Sequence, residues 1–112
     1  MQFTLEKMQE SQAAIVTLQA ESLDAGNSKA FKEKLLPVLE NHDAVLIDMG
    51  SLNFVDSSGL GILLSCLRTM NNKDGQFKLF AMSKPVQALF ELVRMHRIFA
   101  IYNSLDDAVA AL

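Results

Sequence analysis

Between residues 44 and 70 the chain reads AVLIDMGSLNFVDSSGLGILLSCLRTM, and this stretch decides the fold class. Residues 44–49 are almost continuously apolar, which is typical of a central strand covered on both faces. After a short loop, Asp56-Ser57-Ser58 leads into a helical pattern from Gly59 to about Met70. A covered strand followed by a helix predicts an α/β domain in which the two kinds of element alternate.

In the N-terminal part of the chain, the spacing of apolar residues also changes from that of strands to that of a helix. Residues 3–5 and 14–18 predict two strands, and the short polar segment 9–12 predicts that they form an antiparallel hairpin. Asn27 or Ser28 can cap the helix that follows. The apolar face of that helix consists of Phe31, Leu35, Val38 and Leu39.

The C-terminal part predicts two more strands and two more helices. Residues 77–82 and 98–102 read as strands. Ser83, with Pro85 in the first turn, predicts a helix start, and Ser104 with Asp107 has the spacing of a capping box. The apolar face of the first of these helices consists of Val86, Leu89, Phe90 and Val93.

The resulting order, β-β-α-β-α-β-α-β-α, predicts one α/β domain over residues 1–112. It implies a mixed sheet of about five strands with about four helices. The N-terminal hairpin forms an antiparallel edge, and right-handed crossovers join the parallel strands.

Charge and composition restrict the class of partner and the compartment. The net charge of -3 argues against a nucleic-acid partner, because such proteins usually present a basic face. The single cysteine, Cys66, cannot form an internal disulfide, which favours a reducing compartment. The first residues lack the pattern of a signal peptide, and the longest uncharged stretch, residues 57–67, is too short for membrane insertion. We therefore expect a cytoplasmic protein.

Asp56, Ser57 and Ser58 lie at or near a predicted helix N-terminus. Free main-chain N–H groups and the helix dipole favour negative charge there, so a phosphate on a serine would be stabilised. The neighbouring carboxylate of Asp56 would repel that phosphate. The alternative is that Ser57 or Ser58 simply caps the helix.

The helix over residues 59–70 has Arg68 as its only charge. A core stripe is predicted for Leu60, Leu63, Leu64 and Leu67. The opposite side carries small or apolar residues where solvated charges are expected: Gly61, Ile62, Ser65, Cys66 and Thr69. Such a side is covered by a partner or buried within the domain. Cys66 also fits the role of a small interior hydrophobic residue.

The run Asp56-Ser57-Ser58-Gly59-Leu60-Gly61 resembles the phosphorylation motif of bacterial anti-sigma factor antagonists, the single-domain members of the STAS family. The resemblance extends over the whole chain. It implies that a partner serine kinase, itself the anti-sigma factor, phosphorylates Ser57. The unphosphorylated form would bind this kinase and free its target, phosphorylation would abolish binding, and a serine phosphatase would reset the switch. The resemblance and the small or apolar side of the helix together predict a set of partner-binding residues: Asp24, Asp56, Ser57, Ser58, Gly59, Gly61, Ile62 and Ser65.

Two of these residues have alternative interpretations, and the function has one as well. Asp24 matches an acidic position near the phosphoserine of relatives, or it forms an Asx turn with Gly26. Asp56 is a local cap or part of the kinase-recognition surface. The alternative function is a STAS-like accessory subunit of a membrane transport ATPase, without phosphorylation.

The sequence offers little for catalysis. Val55 and Asp56 occupy the positions where a nucleophile elbow at Ser57 or Ser58 requires glycine. His42 and His96 are far from the motif and fit surface or capping roles. Gly59-Leu60-Gly61 lacks the third glycine of a dinucleotide fingerprint, and one cysteine with two histidines does not suggest a zinc site. We therefore predict no catalytic residue, no cofactor and no metal, and a regulatory protein that is not an enzyme.

Overall fold

A computed structural model describes residues 2–7 and 13–112, which form seven strands and four α-helices. The strands are β1 (Gln2–Lys7), β2 (Ala13–Gln19), β3 (Ser22–Leu23), β4 (Ala44–Asp48), β5 (Phe54–Val55), β6 (Gln76–Phe80) and β7 (Ala100–Tyr102). The helices are α1 (Ser28–Asn41), α2 (Ser57–Asn72), α3 (Lys84–Leu92) and α4 (Leu105–Ala110), and a short 3-10 helix spans Met95–Arg97.

Five of the strands form the main sheet, in the order β1-β2-β4-β6-β7. β1 and β2 are antiparallel, and the other neighbouring pairs are parallel. The predicted mixed five-stranded sheet with an antiparallel N-terminal pair is therefore confirmed. The predicted turn at residues 9–12 lies outside the described residues.

The core lies on both faces of this sheet. Val16, Ile47 and Leu79 alternate with residues of the other face and pack with the buried residues of α1, α2 and α3. On the opposite face Leu46 and Phe80 pack against Ala108 of α4. The strand β4 is covered from both sides, and this is why its sequence is an almost unbroken apolar run.

The second sheet, formed by β3 and β5, was not predicted. It consists of two parallel pairs, Ser22 with Phe54 and Leu23 with Val55. A two-residue strand is too short to show a period, so only the pairing itself defines it.

One predicted side-chain cap and one predicted strand boundary also differ. Ser83 occupies the N-cap position of α3, but its hydroxyl donates to the carbonyl oxygen of Leu52 and does not cap the helix. β7 begins at Ala100 and not at residue 98, because a 3-10 helix spans Met95–Arg97 and the N–H groups of Ile98 and Phe99 still donate to the carbonyl oxygen of Met95. Ser104 caps α4 as predicted, its hydroxyl oxygen accepting from the N–H of Asp107 at 3.1 Å.

Candidate functional site

The β3–β5 sheet positions the serine motif. The N–H of Asn53 donates to the carbonyl oxygen of Glu21 at 2.7 Å, and the N–H of Asp56 donates to that of Leu23 at 3.2 Å. These bonds continue the pairing of the two strands. They hold the loop after β3 and the turn before α2 side by side.

Asp56 is the N-cap of α2 and also the link to the neighbouring loop. Its Oδ1 accepts from the N–H of Gly59 at 2.9 Å, and its Oδ2 accepts from the N–H of Ala25 at 3.1 Å. The interpretation of Asp56 as a local cap is confirmed. Both oxygens are engaged, so the carboxylate is held at the start of the helix beside the loop that contains Asp24.

Asp24 organises that loop. Its Oδ1 accepts from the N–H of Gly26 at 2.9 Å, which is the predicted Asx turn, and its Oδ2 accepts from the hydroxyl of Ser22 at 2.7 Å. The main-chain N–H of Asp24 donates to Oδ1 of Asn27 at 2.9 Å. The Ser22 hydroxyl, and then the Gly26 N–H, hold the pKa of Asp24 below its usual value of 3.8, because both stabilise the ionised form.

Neither serine of the motif caps α2, since Asp56 takes that role. Ser57 is exposed at the first residue of the helix, and Ser58 is half-buried. Within the described part of the chain, neither hydroxyl makes a hydrogen bond to the protein. The capping interpretation of these serines is therefore wrong, and the Ser57 hydroxyl is open to solvent.

The two glycines of the motif have different surroundings. Gly59 is buried, and a Cβ there would overlap the carbonyl oxygen of Leu23 and lie 2.9 Å from Cγ1 of Val55. Its assignment to the partner-binding surface is corrected, because it packs α2 against β3. Gly61 is exposed, and a Cβ there would meet no atom within 4 Å.

The buried stripe of α2 is rotated from the predicted one. It consists of Gly59, Leu63, Cys66 and Met70. Leu60, Leu64 and Leu67 are only half-buried, as are Ile62 and Ser65 on the other flank. Cys66 therefore does not belong to the outward side, and its interpretation as a small interior residue is confirmed. Burial raises the pKa of the Cys66 thiol to about 12, an effect that the positive charge of Lys32 offsets only in part.

Phe54 was missed by the sequence analysis. It lies in β5, two residues before Asp56, and its side chain is 54% exposed, whereas the neighbouring Val55 is buried. An exposed aromatic ring beside the motif is a natural contact for a protein partner. The signal was the alternation of the strand, which directs Phe54 outward once Val55 points inward.

The histidines lie apart from this site. His42 is buried after α1, and its Nδ1 is 2.8 Å from the carbonyl oxygen of Val38. His96 is exposed and lines a cavity of about 370 Å³ between α3 and β7. Among the described residues, no group of three or more His, Cys, Asp or Glu side chains could hold a metal ion. None of the helices described is long and apolar enough to cross a membrane.

A family model described as the STAS domain matches residues 4–108. The anti-sigma F factor antagonist of Paenibacillus polymyxa is 29% identical over 68 residues, which cover 61% of this chain and 58% of that relative. The anti-sigma-B factor antagonist of Bacillus subtilis is 24% identical over 90 residues, which cover 80% of this chain and 83% of that relative.

Among solved structures, the anti-sigma factor antagonist SpoIIAA in its unphosphorylated form superposes with a TM-score of 0.77 at 21% identity, over 96% of this chain and 93% of that one. SpoIIAA of Bacillus in its phosphorylated form gives 0.71 at 20% identity, over 98% of both chains. At such identities the likeness shows a shared fold.

Proposed function

The chain belongs to the STAS domain family, and on this premise we propose that it is a phosphorylatable anti-sigma factor antagonist in a partner-switching system. In its unphosphorylated form it binds an anti-sigma factor that is also a serine kinase, and the bound kinase releases its target. Phosphorylation of Ser57 abolishes this binding, and a serine phosphatase restores it. The role is one of binding, not of catalysis.

The exposed Ser57 hydroxyl, free at the first residue of α2, is the observation that carries this proposal. A kinase can reach it without unfolding the helix, because Asp56 and not Ser57 provides the cap. The free N–H groups of the first turn offer partial positive charge to a phosphate. Two observations on relatives support the assignment of this chain as a phosphorylatable antagonist. Both relatives named above are anti-sigma factor antagonists, and structures of SpoIIAA exist in the unphosphorylated and the phosphorylated form.

Electrostatics supplies the switch. A phosphoserine at position 57 adds a charge of about -1.5 to -2. The adjacent Asp56 carboxylate is held in place by two hydrogen bonds, and the loop that it contacts contains the ionised Asp24. A partner covering this surface would have to desolvate a concentrated negative charge, and this weakens binding.

The contact surface that we propose consists of the loop around Asp24, the turn at Asp56 to Ser58, the exposed Gly61 and the flank of α2 that carries the half-buried Ile62 and Ser65. Gly61 supports it in particular. A glycine inside a helix costs about 0.5–1 kcal/mol relative to alanine, yet no neighbouring atom requires one here. Close approach of a partner to the helix backbone would explain why this position is glycine.

Phosphorylation by the kinase recovered with the protein from its native cell tests the proposal. With ATP, intact-mass measurement should show one added phosphate, which the serine phosphatase removes. Ser57→Ala should gain none, whereas the matched control Ser58→Ala should still gain one. Phosphate on Ser57→Ala would refute the site. Recovery of a transport ATPase in place of a kinase would instead support the accessory-subunit function, which the relatives named above do not favour.

A further inference from the structure

The outer edge of β7 carries unpaired main-chain groups. β7 is the last strand of the main sheet, so it is paired only on the side of β6. The carbonyl oxygen of Tyr102 accepts from the N–H of Ala81 at 3.1 Å, so the main-chain groups of Tyr102 point toward β6. Because consecutive residues of a strand direct these groups to opposite sides, the N–H and C=O of Ile101 point away from the sheet. Within the described residues, neither group of Ile101 has a hydrogen-bond partner.

A cavity of about 370 Å³ lies beside this edge, between β7 and α3. Pockets that hold small ligands have volumes of about 300–1,000 Å³, so this one has room for a single side chain of a partner. Its apolar wall includes the buried Phe90 and Phe99 and the half-buried Met82. The cavity reaches the surface, since Gln87 and Glu91, which also line it, are exposed. The strand edge, the cavity and the flank of α3 form one groove, which we call the β7 groove.

The two ends of the β7 groove carry different polar groups. α3 runs antiparallel to β7, because it connects β6 to its parallel neighbour. Gln87 therefore lies toward the Tyr102 end of the groove. Glu91, one turn later on the same flank, lies toward the opposite end, where His96 also lines the cavity. A bound segment thus meets an amide group at one end and a carboxylate at the other.

Glu91 gives the β7 groove its charge. Of the described residues that line the cavity, it alone is charged when histidine is counted as neutral. It lies in the last turn of α3, where the helix dipole disfavours a carboxylate. Within the part of the chain that the structure describes, it forms no ion pair. Neither the dipole nor a salt bridge explains this carboxylate, whereas a basic ligand would.

Three basic residues lie near the groove and restrict where a cation fits. Lys78 donates to the hydroxyl of Tyr102 at 3.2 Å and lies 5.1 Å from the centre of its ring. A second cation is therefore disfavoured at the Tyr102 end. Arg94 and Arg97 are exposed near the other end, but neither lines the cavity. Their charges act across water, whereas a group in the groove contacts Glu91 directly, so a single cation fits best beside Glu91.

From these observations we infer that the β7 groove binds an extended peptide segment of a partner protein, and that this segment carries one basic side chain. Its main chain pairs with the N–H and C=O of Ile101 and adds a short strand to the sheet. The stem of its lysine or arginine lies against Phe90 and Phe99, and the charged end meets the carboxylate of Glu91. None of the residues that line the cavity belongs to the contact surface proposed around Ser57. The inference therefore goes beyond the proposed function and does not depend on it.

A synthetic peptide tests the groove without any kinase. The probe is an acetylated and amidated peptide of about five residues, with arginine at its centre and valine and threonine on both sides, because these residues favour an extended main chain. It is titrated into the full chain up to about 5 mM, and shifts of the amide NMR signals are expected for Ile101, Glu91 and His96. The amide of Leu36, which is exposed on α1, serves as the control and should not shift. The absence of a shift at Ile101 would overturn the inference.

Matched variants of the protein test the role of charge. Glu91→Gln should weaken binding of the probe about fivefold or more, whereas Glu40→Gln on the exposed side of α1 should not. Arg97→Gln should leave binding unchanged or strengthen it. Ser57→Asp should bind the probe with unchanged affinity, because its site is separate. Equal affinities of Glu91→Gln and the parent, or weaker binding by Ser57→Asp, would contradict the assignment.

Matched peptides test the extended main chain. A probe with glutamate in place of arginine, and a probe whose main-chain nitrogens are methylated, should each bind about fivefold more weakly or worse. Equal binding of either one would overturn the inference. Arginine amide alone should not reproduce the shift at Ile101, and if it does, the groove is a small-cation site without strand pairing. Shifts that depend on protein concentration alone would show that a second copy is the occupant, and would overturn the inference too. Failure of Ser57 to accept phosphate would refute the proposed function and leave these peptide results unchanged.

Discussion

Alanine at the two glycines of the motif should change stability in opposite directions. At Gly59 the added Cβ overlaps the carbonyl oxygen of Leu23 and lies 2.9 Å from Cγ1 of Val55. That carbonyl accepts a hydrogen bond from the N–H of Asp56, so it cannot move without disturbing the start of α2. At Gly61 the added Cβ points into open space.

The magnitudes follow from these surroundings. Overpacking of a rigid site costs about 1–3 kcal/mol, and the higher helix propensity of alanine returns about 0.5–1 kcal/mol. Because the clash at Gly59 involves backbone, we expect Gly59→Ala to lower the free energy of unfolding by about 1–2 kcal/mol. Gly61→Ala should raise it by about 0.5–1 kcal/mol, since only the propensity changes.

Urea denaturation of both variants beside the unchanged protein measures the two effects under the same conditions. The midpoint should fall for Gly59→Ala and rise for Gly61→Ala, with similar slopes. A Gly59→Ala variant as stable as the parent would refute the close contact with β3. A destabilised Gly61→Ala would show that this position is packed and not open.

Three further predictions concern other parts of the fold. The Lys73 ammonium donates to three carbonyl oxygens at the end of α1. Lys73→Met should therefore lower the free energy of unfolding, measured by urea denaturation, by about 1–3 kcal/mol. The control Lys29→Met, on the exposed side of α1, should not have this effect. The pKa of Asp24 is lowered in the folded state, so the ionised carboxylate stabilises the fold above pH 3.8, and this stabilisation is lost as the pH falls through the folded-state pKa. An NMR titration of the Asp24 carboxyl should therefore have its midpoint below pH 3.8. A midpoint at or above pH 3.8 would contradict the Asx turn. With a pKa near 12, the buried Cys66 thiol should resist alkylation at pH 8 in the folded protein and react after unfolding, and rapid alkylation of the folded protein would place it on the surface.

The order of the main elements could be derived from periodicity alone. Residues 44–48 form a strand covered on both faces, and the two N-terminal strands pair as an antiparallel edge, because long apolar patterns leave few alternatives for burial. The β3–β5 sheet could not be derived. Each of its two strands has only two residues, which is too few to show an apolar period. Their pairing depends on contact between two segments that are distant in the sequence.

At the site, the sequence identified the motif but not the role of each residue. Three adjacent residues, Asp56, Ser57 and Ser58, can all cap a helix. The competition between them was decided by the β3–β5 pairing, which brings the N–H of Ala25 to Asp56 and so engages both of its oxygens. The free hydroxyl of Ser57 is a consequence of that tertiary contact.

The sequence by itself determined that the chain is an α/β domain with a serine motif at the start of its central helix, because covalent order and apolar period are local properties. Only the tertiary structure decided which side of that helix is buried. Four leucines at helical spacing predicted one stripe, but the approach of β3 to Gly59 turns the helix so that Cys66 and Met70 enter the core. Leu60, Leu64 and Leu67 are left half-exposed beside α3, since the rotation of a helix is set by what it packs against and not by its own sequence.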